Sequence, residues 1–269
     1  DKIRYNGYTY SKIIVDGKFK QPYFKGKVFV NDPNLYMDFD GLVDLGKREK
    51  NIDFNAQIDY ANLKKLNFVN DSISVFKGNV SIKTTGNDLD TFKGDVTISD
   101  ASYQNRKDLY FIDVLHLNSS FDEGGERNLT VVSPDIIDGK IKGKFKFAQL
   151  PKMVENSLGS LYANYKPNKV IKGQHLNFDF AIKSKFIEIF FPDITLSPNT
   201  NLKGNISSDS QDFKLDFTSP KIVAFENTFD NILLQIDNRN PLYKSYVQLD
   251  SIKTKYYKIR DFSLINTIV

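Results

Sequence analysis

Asn51-Ile52-Asp53-Phe54-Asn55-Ala56-Gln57-Ile58-Asp59-Tyr60 alternates polar and apolar residues without a break. Successive side chains of a β-strand point to opposite faces, so this run puts Phe54, Ala56 and Ile58 on one face and Asp53, Asn55 and Gln57 on the other. Such a strand is oily on one side and wet on the other. Upstream the same period runs through Leu35, Met37, Phe39, Gly41, Val43 and Leu45, and downstream through Val80 and Ile82, then Val96 and Ile98. It returns as Ile141, Gly143, Phe145 and Phe147 against Lys140, Lys142, Lys144 and Lys146. Later come Leu176, Phe178, Phe180 and Ile182, then Phe213, Leu215 and Phe217, then Ile232, Leu234 and Ile236. Roughly fourteen such segments are separated by turn signals such as Asn31-Asp32-Pro33-Asn34, Gly86-Asn87-Asp88, Gly124-Gly125 and Ser197-Pro198-Asn199. The fold class is all-β, with less than about a tenth of the residues expected in helix.

One stretch departs from the period. Leu150, Met153, Val154, Leu158, Leu161, Tyr162 and Tyr165 recur at three- and four-residue spacings, which predicts an amphipathic helix over 150–166. Pro151 suits its first turn and Pro167 stops it. The helix divides the chain into strand-rich segments 1–149 and 167–269, read as one continuous architecture.

A short motif recurs as well. An apolar residue followed by Lys-Gly appears as Phe24-Lys25-Gly26, Phe76-Lys77-Gly78, Phe92-Lys93-Gly94, Ile141-Lys142-Gly143 and Leu202-Lys203-Gly204. Each glycine falls on the apolar side of its strand, where it leaves a gap in the lining or permits a bend.

The charges argue against several functions. Thirty-seven Lys and Arg against 33 Asp and Glu alternate in sign instead of collecting in blocks, which marks a solvated face and no nucleic-acid footprint. The absence of cysteine removes disulfides, thiolate zinc sites and a thiol nucleophile, and suits an oxidising compartment. His116 and His175 stand far apart with no partner at metal-ligand spacing. Asp38, Asp40 and Asp44 alternate with apolar residues on the wet face, and Asp38-Phe39-Asp40-Gly41 lacks the further ligands of a calcium loop. No phosphate-cradling glycine loop or nucleophile elbow is present. The reading is a protein that is not an enzyme and carries no cofactor or metal. No apolar run reaches the roughly 18 residues of a spanning helix, so a membrane anchor is expected outside this sequence, which reads as a piece of a longer protein.

What remains is the apolar face. A sheet with one oily side must cover it. It can fold onto a second sheet as a closed sandwich, the form of an adhesin-like or surface-binding module, or curl into a trough whose lining stays reachable by apolar ligands. A third use is a chaperone that offers its sheet edge to an incoming strand. In a trough, the lining would be Phe54, Ile58, Val80, Ile82, Val96 and Ile98 in the first segment. Ile141, Phe145, Phe147, Phe178, Phe180, Ile182, Leu215, Phe217 and Ile236 would follow.

Several stretches resemble the repeating strand units of the TamB family of AsmA-like envelope proteins. They are Gly17-Lys18-Phe19 with Phe24-Lys25-Gly26, Asp32-Pro33-Asn34-Leu35 with Phe39-Asp40-Gly41, Asp59-Tyr60-Ala61-Asn62-Leu63, Ser133-Pro134-Asp135 before Gly139-Lys140-Ile141-Lys142-Gly143, and Tyr165-Lys166-Pro167 after the helix. The resemblance implies a long curved amphipathic sheet folded as a trough, a β-taco, anchored in the inner membrane and lying in the periplasm. It implies phospholipid acyl chains as ligand and an outer-membrane barrel-assembly protein as partner, in lipid transport to, or protein assembly in, the outer membrane.

Overall fold

The computed structural model describes residues 2–46, 48–70, 72–162, 164–209 and 212–267. Strands hold 60% of the chain and helices 8%, so the fold is all-β as the alternation predicts. Sixteen strands belong to one antiparallel sheet that is not closed, and two more form a separate hairpin. Two compact units divide the chain: residues up to Ser120 with Val132–Asp135, and Phe121–Val131 with Ile136 onward.

Unit 1 contains β1 (Ile3–Tyr5), β2 (Tyr8–Tyr10), β3 (Ile13–Lys20), β4 (Tyr23–Asp32), β5 (Leu35–Asp44), β6 (Asn51–Asn62), β7 (Val75–Thr85), β8 (Lys93–Gln104) and nearly all of β9 (Leu109–Phe121). Strands β3 to β9 pair in sequence order, a meander whose free edge is β3. The β1–β2 hairpin turns on Asn6 and Gly7, both at positive φ (48° and 76°), the backbone that a two-residue hairpin turn requires and that Asn-Gly adopts most readily.

After β10 (Arg127–Ser133), unit 2 runs through β11 (Ile137–Lys144), α1 (Leu150–Gly159), β12 (His175–Ile182), α2 (Ser184–Phe190), β13 (Ile194–Leu196), β14 (Thr200–Ser207), β15 (Phe213–Ala224), β16 (Asn227–Asp237), β17 (Ser245–Lys253) and β18 (Lys258–Asn266). Its strands also pair in order, with short β13 set against β15 and with β18 as the free edge. Helix α1 begins at the expected residue but ends at Gly159, short of Tyr165.

Sheet curvature has two sources. In four of the five Lys-Gly copies the glycine takes a positive φ: 154° at Gly26, 149° at Gly78, 123° at Gly94 and 156° at Gly143. L-residues scarcely visit that backbone. A Cβ on Gly143 would also lie 2.1 Å from the carbonyl oxygen of His175, so the motif serves a bend and a close backbone approach. Bulges supply the rest: the register shifts at Tyr36/Met37, Ile58/Ala61 and Lys77/Asn79 on successive strand pairs, and aligned bulges bend a sheet and raise its twist.

Among the described residues a packed core stands out in each unit. In unit 1 Tyr10, Ile13, Val30, Ala61 and Leu66 are buried together. In unit 2 Met153 of α1 packs on Phe145, Leu176, Ile206, Phe213 and Ile236.

Candidate functional site

The strand registers turn alternation along each strand into rows across strands. In unit 1 one row reads Val15–Val28–Phe39–Ala56–Val80–Ile98–Leu115, apolar on all seven strands. The next reads Gly41–Phe54–Ile82–Val96–Leu117. Rings stack along this face, Phe39 lying 6.0 Å from Phe24 and 4.8 Å from Phe54. Apart from buried Ala56 and exposed Val15, these side chains are half-buried. The face deepens into a cavity of about 440 Å³ where Ile58 meets Ile13, Val30, Met37, Leu66 and Phe76, and its whole lining is apolar or aromatic.

Unit 2 repeats the arrangement. Phe180–Leu202–Phe217–Leu234–Val247 forms one half-buried row, and Ile141–Phe178–Gly204–Leu215–Ile236 the next. Gly204 opens a slot in that second row, since the Phe178 ring tip lies 2.8 Å from where its Cβ would be.

The expected lining residues therefore fall into four groups. Phe54, Ile58, Val80, Ile82, Val96 and Ile98 share one face of unit 1; Ile141, Phe178, Phe180, Leu215 and Phe217 share one face of unit 2. Phe145, Ile182 and Ile236 are sealed, at 8%, 8% and 6% exposure, and Phe145 and Ile236 lie in the core beneath α1. Phe147 has left the sheet: it sits in a short 3-10 turn, edge-on to Phe145 at 5.4 Å. The guanidinium of buried Arg127 lies 5.1 Å from the Phe147 ring and 4.6 Å from that of Phe121, a cation held against aromatic faces. Alternation already puts Phe39 and Leu234 on the apolar face, but that they share rows with the expected lining, and that Leu115, Leu117, Leu202 and Val247 join them, follows only once register is set.

The wet face holds both histidines. His116 meets Thr97 Oγ1 at 3.0 Å through Nδ1 and Asp95 at 3.2 Å through Nε2. His175 Nε2 lies 2.9 Å from Glu126, and Lys142 is 3.4 Å from Asp122. The backbone N–H of Glu126 holds the Asp122 carboxyl below its ordinary range, and the His175 contact does the same for Glu126. Among the described residues no three His, Cys, Asp or Glu converge on a point that could hold a metal ion, and no helix is long and apolar enough to cross a membrane. Comparison with protein-family models, with curated proteins and with solved structures returns no match.

Proposed function

We propose that the apolar face is a groove for phospholipid acyl chains in a periplasmic, envelope-bridging protein of the TamB type, anchored in the inner membrane by a segment outside this sequence. One observation carries the reading: the rows through Phe39, Val80 and Ile98 and through Phe180, Leu202 and Phe217 are half-buried. They are neither sealed, as Met153 is at 2% exposure, nor scattered singly among polar residues. A closed sandwich would bury them as completely as Met153. Each acyl CH₂ kept from water is worth about 0.8 kcal/mol, so successive rows let a chain move across an aqueous gap with little change in free energy between positions. The headgroup stays at the wet margin. No step of this process needs a catalytic side chain. A barrel-assembly partner in the outer membrane completes the reading.

The test compares two positions of unit 2. A photocrosslinking residue at 217 should yield a phospholipid adduct in cells, one at 145 should not, and Phe217→Asp should abolish lipid co-purification in native mass spectrometry while leaving the fold intact. No adduct at 217, with the protein folded, would reject the groove.

A further inference from the structure

The polar side chains of unit 1 share the face opposite its apolar rows. A cavity of about 650 Å³ opens there, within the range typical of ligand sites, and its side chains form two ladders running across six strands. One is Asp16–Lys27–Asp40–Asn55–Ser81–Thr97 and the other Ile14–Phe29–Asp38–Gln57–Asn79–Ser99. Their chemistry is carboxylate, amide and hydroxyl, with an apolar step at one end. Ile14 is 65% exposed on the face that should be wet, and Phe29 beside it stands edge-on to Tyr36 at 5.5 Å. Part of the polar capacity is spent internally, by Lys27 on Asp40 at 3.7 Å, Gln57 on Asp59 at 3.0 Å and Asn79 on Asp100 at 3.2 Å. Asp16, Asp38, Asn55, Ser81 and Ser99 have no side-chain hydrogen bond or ion pair among the described residues.

We propose that this cleft binds a neutral, extended oligosaccharide laid across the strands. Three carboxylates against one lysine repel anions and accept hydrogen bonds only, so the ligand is a donor, and the six amides and hydroxyls of the ladders, Asn55, Gln57, Asn79, Ser81, Thr97 and Ser99, favour an uncharged one. Amides both donate and accept, which suits vicinal hydroxyls. Phe29 and Ile14 offer an apolar platform for the C–H face of a sugar ring. Neighbouring strands lie about 4.8 Å apart, so each ladder presents a polar group at an interval close to the length of one sugar unit in an extended glycan. A bare metal ion is a poor fit, because no metal-binding cluster forms here. The two ladders point to the face opposite the apolar rows, while Val28, Phe39, Ala56 and Val80 of the first apolar row also line the cavity, between the ladder residues.

The experiment titrates the ¹⁵N-labelled chain with cellotetraose and chitotetraose, whose chains are extended, with maltotetraose, whose chain curls, and with pentalysine. An extended tetrasaccharide should shift the side-chain amide signals of Asn55, Gln57 and Asn79 and bind about tenfold more tightly than maltotetraose. Both substituted residues are exposed, so Asn55→Ala with Gln57→Ala should leave the fold unchanged and weaken binding roughly tenfold or more, as expected from loss of two hydrogen-bonding groups. Failure of both extended sugars to bind at millimolar concentration, equal binding by the double variant, or tighter binding of pentalysine at the same signals would each overturn the proposal.

Discussion

Unit 1 and unit 2 share the two-residue alternation and the Lys-Gly motif, yet each covers its apolar face with a different piece of chain. In unit 1 the cover is the β1–β2 hairpin with the turn around Leu66; in unit 2 it is helix α1. Both covers are short, and beyond them the rows become half-buried. The difference teaches that a cover is a local addition to a common sheet and not part of the sheet's plan. What the two units have in common is the uncovered rows, which is why the proposed function is placed there.

The largest effect should come from charging a covered position. Met153→Asp puts an unpaired carboxylate into the α1 core and should cost several kcal/mol, enough to unfold unit 2. Phe217→Asp, in an uncovered row of the same unit, leaves its carboxylate reachable by water and should cost less than half as much. Urea denaturation followed by circular dichroism measures both. Equal losses would mean that the rows are sealed in solution, and the distinction between covered and uncovered surface would fall.

Next in size is the Lys-Gly bend. Gly143→Ala meets both an unfavourable φ and a backbone oxygen 2.1 Å from the new Cβ, so about 3 kcal/mol or more is expected. Gly125→Ala in the β9–β10 turn has φ 75° but nothing within 4 Å, and should cost only about 1 kcal/mol. Gly26→Ala in unit 1 should resemble Gly143→Ala, since its Cβ would lie 2.3 Å from the Asp16 oxygen. If Gly26→Ala and Gly125→Ala proved equal, the motif would be packing in one unit and geometry in the other.

How much of this was legible in the sequence depends on what a local pattern can encode. Ile52 to Tyr60 and its relatives declare strand and face, because a side-chain period of two has no other simple reading. Pro151 marks the start of α1, but the helical spacing runs on past its end at Gly159. Leu161, Tyr162 and Tyr165 keep helical spacing, yet they lie on a return turn that brings the Tyr165 ring onto Gly159, where a Cβ would meet it at 2.3 Å. Helix α2 escaped notice because seven residues, Ser184–Phe190, are too few to tell one period from another. Its first turn is closed by a hydrogen bond from Ser184 to the Glu188 carboxylate. Asn6-Gly7 was a readable hairpin signal that alternation alone does not use. Register was not legible at all. Nothing local states that Val80 faces Ala56 and Ile98, so neither the apolar rows nor the polar ladders of unit 1 could be read before the strands were paired.

The smallest predicted effect separates the two covers by pH. The unit 1 hairpin is fastened by one carboxylate: Asp32 accepts from Tyr8 Oη at 2.5 Å, from the backbone N–H of Ser11 at 2.8 Å and its hydroxyl at 2.8 Å, and from the backbone N–H of Asn34 at 2.9 Å. Burial by itself would raise the pKa of Asp32, but the Tyr8, Asn34 and Ser11 hydrogen bonds together outweigh it and hold the carboxyl below its ordinary value. A folded pKa below the unfolded one means that the stabilisation is present above about pH 4 and lost as pH falls through the folded value. The same hydrogen bond raises Tyr8, chiefly through Asp32, so Tyr8 contributes below about pH 10 and loses that contribution as pH rises through its folded value. The unit 2 cover is fastened by a neutral amide instead. Asn156 accepts from Tyr165 Oη at 3.0 Å and from the Asn168 N–H at 2.7 Å, and donates to the Asn168 carbonyl at 2.9 Å. No carboxylate or imidazole takes part in these bonds, so acid leaves them intact. Acidification from pH 6 to pH 3 should therefore loosen the hairpin by about 1–2 kcal/mol, seen as a shift of the Leu66 methyl signals, while the Met153 methyl signal of unit 2 stays in place. Asp32→Asn should abolish the acid shift and weaken the hairpin at neutral pH by a similar amount. Should the Leu66 and Met153 signals move together in the wild-type chain, the two covers are not fastened separately, and the comparison between the units loses its physical basis.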